Sequence, residues 1–148
     1  MDNQHDISVL NGLIATTFDS LKGFDDAAEH ADSTRYAAIF AKFAQERTQV
    51  AQALQAQVRV LGGDPEDGAT LLGAAHRGFM DLKQALLGRN DQAIIEEVER
   101  GEDHIKAKFE YALDDTELQS GTRDAVREAF LSVQAGHDQA SALKHGRE

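Results

Sequence analysis

Apolar residues recur every three or four positions along most of the chain, which is the spacing of one face of an α-helix. The first stripe predicts a helix over about residues 5–31, and its members are Ile7, Leu10, Ile14, Phe18, Leu21 and Ala28. Asp32 and Ser33 offer N-cap oxygens for a second helix, which Gly62-Gly63 can end. The stripe of this second helix is Tyr36, Phe40, Phe43, Val50, Leu54, Val58 and Leu61.

The segment from Asp64 to Asn90 departs from this regular apolar spacing, because Pro65 and Gly68 interrupt it. A shorter stripe then resumes and predicts a crossover helix, with the members Leu71, Leu72, Ala75, Phe79, Leu82 and Leu86. Asp91 can cap a third long helix, whose stripe is Ile94, Ile95, Val98, Ile105, Phe109 and Ala112. A last helix follows the turn at Ser120-Gly121, with the stripe Val126, Phe130, Val133 and Ala140.

Two tight helical hairpins joined by one long connection are typical of ferritin-like bundles. We therefore expect an all-α fold: a ferritin-like four-helix bundle with one long crossover carrying an additional helix. The length of 148 residues suits a single domain over residues 1–148. An irregular array of five helices is the competing interpretation.

The composition of the chain excludes several classes of function. The net charge of −11 repels a nucleic-acid backbone, so we expect no nucleic-acid partner. The absence of cysteine excludes disulfides, thiolate zinc sites and cysteine nucleophiles, but it leaves His and carboxylate metal sites open. The polar N-terminus does not resemble a secretory signal and no apolar run is long enough for a membrane span, which favours a cytoplasmic protein without a membrane partner. Phosphate-binding loops and hydrolase motifs are also missing.

A few ionisable residues fall inside the apolar stripes, where an unpaired charge is costly. Arg47 lies at the centre of the second stripe, Glu102 lies within the third, and His137 lies within the fourth. Asp25 and Glu29 follow the first stripe near its end, and we expect both to face inward. A buried arginine in this position requires an anionic partner.

Two interpretations of these residues stay open. In the first, Arg47 pairs with Glu102 or Glu99, and His137 donates to the remaining carboxylate, so that the interior network holds no metal. In the second, Glu46, Glu99, Glu102 and His137 hold one or two iron or manganese ions, because carboxylates and imidazoles suit such ions.

Di-iron bundles use a Glu from each of two helices and a Glu-x-x-His motif from each of the other two. Against that template, Glu46 is followed by Gln49 where histidine is expected, and His137 is preceded by Gln134 where glutamate is expected. The ligand pattern is therefore only half present.

Several stretches spread over nearly the whole chain carry a resemblance to a known family: Leu10-Asn11-Gly12-Leu13-Ile14, Gly23-Phe24, Ala27-Ala28-Glu29, Gln45, Arg47, Leu61-Gly62-Gly63, His76-Arg77, Met80-Asp81-Leu82-Lys83, Glu99-Arg100-Gly101-Glu102-Asp103 and His137-Asp138. They are similar to a bacterial family of ferritin-like four-helix-bundle proteins, a domain-of-unknown-function group described as stress-associated. The resemblance implies a ferritin-like fold, an iron or di-metal centre, a role in oxidative stress and oligomerisation. The departures at Gln49 and Gln134 argue against ferroxidase or peroxidase activity.

The sequence thus favours a stress-associated structural or interaction protein whose interior holds an Arg, Glu and His network. The alternative is a di-metal carboxylate oxidoreductase, with iron or manganese, that acts on oxygen or peroxide. A third expectation is a homodimer formed through exposed Phe24, Phe79 and Met80, since soluble oligomers are mostly two-fold. Any other protein partner is unknown.

Overall fold

A computed structural model of the chain describes residues 3–67 and 91–146, with side chains up to Leu143. These residues form four helices and no strand: α1 is Asn3–His30, α2 is Thr34–Val60, α3 is Asp91–Leu113 and α4 is Ser120–Gly146. The four long helices expected from the stripes are confirmed, with ends close to those expected. The predicted crossover helix falls on residues 68–90, outside the described residues.

The ends of α2 follow the sequence signals closely. Ser33 is its N-cap, and the side chain of Ser33 accepts a hydrogen bond from the backbone N–H of Tyr36. At the other end Gly62 has a φ of +83°, which glycine adopts without strain. The N–H groups of Gly62 and Gly63 donate to the carbonyls of Arg59 and Val58, so the helix closes with a Schellman motif.

The helix ends show in which direction each helix runs. The carboxylate of Asp91, the first residue of α3, accepts from the N–H groups of Asp32 and Ser33 in the turn between α1 and α2. After α2 the chain lies beside the first half of α1, where Asn11 bonds the backbone of Asp64 and Glu66. The end of α2 and the start of α3 therefore lie at opposite ends of the bundle, and α2 runs parallel to α3.

The helices pack as α1 on α2, α3 on α4, α1 on α3 and α2 on α4. Their buried faces form two hydrophobic clusters, one above the other. The lower cluster contains Leu10, Leu13, Ile14, Val50, Leu54, Val58, Ile105, Phe109, Ala112, Val126, Ala129 and Val133. The upper cluster contains Phe24, Ala27, Phe40, Phe43, Ala44, Ile94, Ile95, Val98, Ala140 and Leu143.

The buried face of α1 differs from the expected one in its second half. Thr17, Phe24 and Ala27 are buried, whereas Asp25 and Glu29 are exposed. The expectation that both acids face inward is therefore wrong, because the stripe continues through a threonine that an apolar count skips. Phe24 is only 3% exposed, so it belongs to the core and not to a dimer face as expected.

Phe79 and Met80, the other residues of the expected dimer face, lie outside the described residues. None of the helices formed by the described residues is both long enough and apolar enough to span a bilayer.

Candidate functional site

One residue from each helix separates the two hydrophobic clusters. These residues are Thr17, Arg47, Glu102 and Gly136, and we call them the polar layer. On every helix, the member of the polar layer lies between the residues of the lower cluster and those of the upper cluster. The layer therefore crosses the whole bundle near its middle.

Arg47 and Glu102 form a buried ion pair at the centre of the polar layer. Each residue is 1% exposed. Arg47 Nη1 donates to Glu102 Oε2 at 2.7 Å, and Nη2 donates to Oε1 at 2.5 Å. This two-pronged geometry satisfies both carboxylate oxygens and gives the strongest type of charged hydrogen bond. The sequence left Glu102 and Glu99 open as partners, and the structure places Arg47 on Glu102.

Neighbouring groups on α1 hold the guanidinium in place. Arg47 Nη1 also donates to Ser20 Oγ at 2.8 Å, and the guanidinium carbon lies 5.3 Å from the centre of the Phe24 ring. The buried hydroxyl of Thr17 donates to the carbonyl of Leu13, one turn back on its own helix. No polar side chain of the layer is therefore left without a partner.

Gly136 gives the ion pair the space that it needs. A Cβ atom built on Gly136 would overlap Arg47 Nη2 and would lie 3.1 Å from Glu102 Oε1. The backbone of α4 therefore packs directly against the pair. Because of this close approach, Gly136 lies at the centre of the buried face of α4. His137 lies at the edge of that face and is partly exposed.

His137 consequently bonds at the surface and does not face the polar layer. Its Nε2 lies 2.6 Å from Asp103 Oδ1, and its Nδ1 lies 3.3 Å from Asp138 Oδ1. Burial lowers the pKa of His137, but the hydrogen bonds with Asp103 and Asp138 outweigh it, so the pKa is raised above its usual value. The carboxylate partner is Asp103, the residue after Glu102, where the sequence suggested Glu99 or Glu102.

The four residues predicted as metal ligands occupy different environments. Glu102 is buried on Arg47, His137 is on the surface with Asp103, and Glu46 and Glu99 are both partly exposed. In the described part of the chain, these four do not supply a group of three ligand atoms within 4.8 Å of one another. Metal binding by Glu46, Glu99, Glu102 and His137 stays a prediction.

A cavity of about 360 Å³ between α1 and α3 leads to one side of the ion pair. Ser20, Phe24 and Glu102 line its inner part, and Asp19 and His104 line its rim. Burial raises the pKa of Asp19, while the charge of His104 acts in the opposite direction.

Sequence reasoning missed Ser20, Gly136 and Asp103. Ser20 lies one turn after Thr17 on the same face of α1, so the helical period could have indicated it. Gly136 carries no side chain, and Asp103 lies on the polar side of its helix. Neither has a hydropathy signal that would identify it.

The fold and the polar layer together define an all-α four-helix bundle with a charged pair in its core. Residues 5–115 match the model of the family described as Domain of unknown function (DUF2383). Since this match covers most of the chain, the protein belongs to that family. No match was found among curated proteins.

Proposed function

We propose that the protein is a ferritin-like bundle in which Arg47 takes the interior place of a metal ion, and that it serves as a stress-associated structural or interaction protein. The observation that supports this proposal is the buried pair, in which the guanidinium binds both oxygens of Glu102. The parallel direction of α2 and α3 supports the ferritin-like topology. The stress association rests on the sequence resemblance.

The energetics favour this function over a di-metal enzyme. A metal ion on Glu102 would have to share the carboxylate with Arg47 or displace the guanidinium from it. A displaced guanidinium cannot lose its proton, so it would stay charged and unpaired in the interior, at a cost of roughly 3–5 kcal/mol. Two cations in one layer would also repel each other strongly where water is excluded. The polar layer therefore favours its own cation over a metal.

Metal content tests the proposal against the oxidoreductase alternative. Tag-free protein is incubated anaerobically with iron(II) and manganese(II), desalted and analysed beside His137→Ala. We expect the variant to retain as much metal as the unmodified protein. Retention of one or two equivalents that is lost in His137→Ala would contradict the proposal and favour the site of Glu46, Glu99, Glu102 and His137.

Light scattering tests the interaction role in its simplest form, a homodimer. Large apolar side chains on three helices are exposed: Val60 at 76%, Tyr111 at 82% and Leu131 at 62%. We expect self-association at high protein concentration that Tyr111→Lys weakens. A strict monomer at every concentration would rule out the homodimer.

A further inference from the structure

A second group of titratable side chains lies at the end of the bundle, where α1 begins and α3 turns into α4. His5 Nε2 lies 2.7 Å from Asp115 Oδ2. One ligand atom each from His5, Asp115 and Glu117 lies within 4.8 Å of the other two. Thr17 of the polar layer is roughly 18 Å further along α1 at the helical rise. This end cluster is therefore separate from the ion pair of Arg47 and Glu102.

We propose that the end cluster of His5, Asp115 and Glu117 binds a divalent transition-metal cation of the Zn²⁺ type. Zinc binds imidazole nitrogen and carboxylate oxygen at about 2.0–2.2 Å in a tetrahedral arrangement, so its ligand atoms lie about 3.3–3.6 Å apart. In the end cluster His5 Nε2 and Asp115 Oδ2 would separate from 2.7 Å to admit the ion, and Glu117 already lies within 4.8 Å of both. An imidazole in the set favours zinc and similar metals over Mg²⁺ and Ca²⁺, which prefer oxygen alone.

The loop that supplies the two carboxylates is already held in shape. Asp115 Oδ1 accepts from the N–H of Glu117 at 2.9 Å, which orients the carboxylate so that Oδ2 lies beside the imidazole. Arg123 of α4 donates to the carbonyl oxygen of Leu113 at the end of α3 and to those of Asp115 and Leu118 in the same loop. A ligand held by its neighbours loses little freedom when it binds an ion.

Asp6 supplies an independent observation at the same place. It follows His5 on α1 and is fully buried. Its Oδ2 accepts from the backbone and the side-chain amide of Gln119, but Oδ1 is buried without a hydrogen-bond partner. A buried carboxylate oxygen without a donor is costly. A cation bound beside the neighbouring His5 would offset the negative charge of Asp6.

A simple ion pair of His5 and Asp115 is the competing account. It needs a protonated imidazole, whereas the metal needs a neutral one. In that account the pKa of His5 is raised, chiefly by the hydrogen bond with Asp115, and the exposed Glu117 contributes only through its charge and not as a ligand. The effect of Glu117 on zinc binding therefore separates the two accounts.

Calorimetric titration of tag-free protein with Zn²⁺ at pH 7.5 tests the site. We expect about one equivalent to bind, and we expect His5→Gln and Glu117→Gln each to weaken binding at least about tenfold. His137→Gln is the matched control, because His137 also bonds two aspartates, but through its two different ring nitrogens. The control is expected to keep the full affinity.

Thermal melts provide a second readout that does not depend on the titration. Zinc is expected to raise the melting temperature of the unmodified protein and of His137→Gln, but not that of His5→Gln. Because Glu117 is exposed, we expect Glu117→Gln to fold normally. A loss of zinc binding in this variant is therefore not a result of unfolding. The absence of zinc binding, or equal affinity in His5→Gln or Glu117→Gln, would overturn the proposal without touching that for Arg47.

Discussion

Two consecutive carboxylates on α3 each bind a basic side chain from another helix, but in opposite environments. Glu102 is 1% exposed and binds the guanidinium of Arg47. The side chain of Asp103 is 63% exposed and binds the imidazole of His137 at 2.6 Å. The contacts are similarly short, so distance alone does not distinguish the interior pair from the surface pair.

Burial and the chemistry of the cation do distinguish them. In the interior, loss of one partner leaves a charge that water does not reach, which is costly. At the surface, water replaces a lost partner and the pair contributes little. Arginine stays charged at every relevant pH, whereas histidine loses its charge near neutrality. We therefore expect the interior pair to be permanent and the surface pair to respond to pH.

The largest expected effect comes from breaking the interior pair. Glu102→Ala leaves the guanidinium of Arg47 buried without its carboxylate, and we expect a loss of roughly 3–5 kcal/mol in the free energy of unfolding. Arg47→Met is expected to cost less, because the remaining Glu102 can take up a proton. Denaturant melts of both variants at pH 7 show which of the two loses more free energy of unfolding. The reverse order would contradict the pairing in the polar layer.

The space beside the pair is expected to matter next. Gly136→Ala places a methyl group against Arg47, whose guanidinium is held on Glu102 and cannot move aside freely, so we expect a loss of about 1–3 kcal/mol. Gly101→Ala is the matched control, since Gly101 is helical, exposed and free of atoms within 4 Å of a new Cβ. We expect Gly101→Ala to raise the free energy of unfolding by about 0.5–1 kcal/mol. Equal effects in the two melts would mean that α4 does not pack against the pair.

A smaller effect is expected from the hydroxyl that assists Arg47. Ser20→Ala removes one acceptor of Nη1, which keeps its bond to Glu102, so we expect a loss of about 1 kcal/mol. Ser20→Ala combined with Arg47→Met measures the coupling of the two residues in a double-mutant cycle. Strict additivity of the two changes would show that Ser20 does not act through Arg47.

The smallest expected effect is the pH response of the surface pair. The pKa of His137 is raised in the folded protein, so its stabilisation is fully present below about pH 6.5 and is lost as the pH rises through the folded value. Melts of the unmodified protein and of His137→Gln are therefore expected to differ most between about pH 5 and 6 and to converge as the pH rises through the folded pKa of His137. A constant difference over that range would mean that His137 acts without its charge.

The hydrophobic stripes predicted the four long helices and the burial of Arg47 and Glu102. This worked because helical periodicity determines which side chains share a face, and a charge inside a stripe is conspicuous. The spacing of apolar residues failed to predict the buried face where that face passes through small or polar residues. Thr17 continues the face of α1 and Gly136 continues that of α4, so Asp25 and His137 were assigned to faces that they do not occupy.

The end cluster of His5, Asp115 and Glu117 could not be predicted from the stripes for a different reason. His5 and Asp115 are separated by 110 positions in sequence, and the contact depends on how the loop after α3 returns to the start of α1. No stripe contains either residue. Only the packing of the helices brings them together.

The polar layer also determines how α2 and α3 are aligned along the bundle axis. A shift of one turn, about 5.4 Å, would exchange one apolar side chain for another in both hydrophobic clusters, at modest cost. The same shift would part Arg47 from Glu102 and place both charges against aliphatic neighbours. Thirty residues separate the end of α2 from the start of α3, so no short turn imposes the alignment. We expect this charged contact, together with the bonds of Asp91 to Asp32 and Ser33 at the start of α2, to select one register from several that the apolar faces would accept.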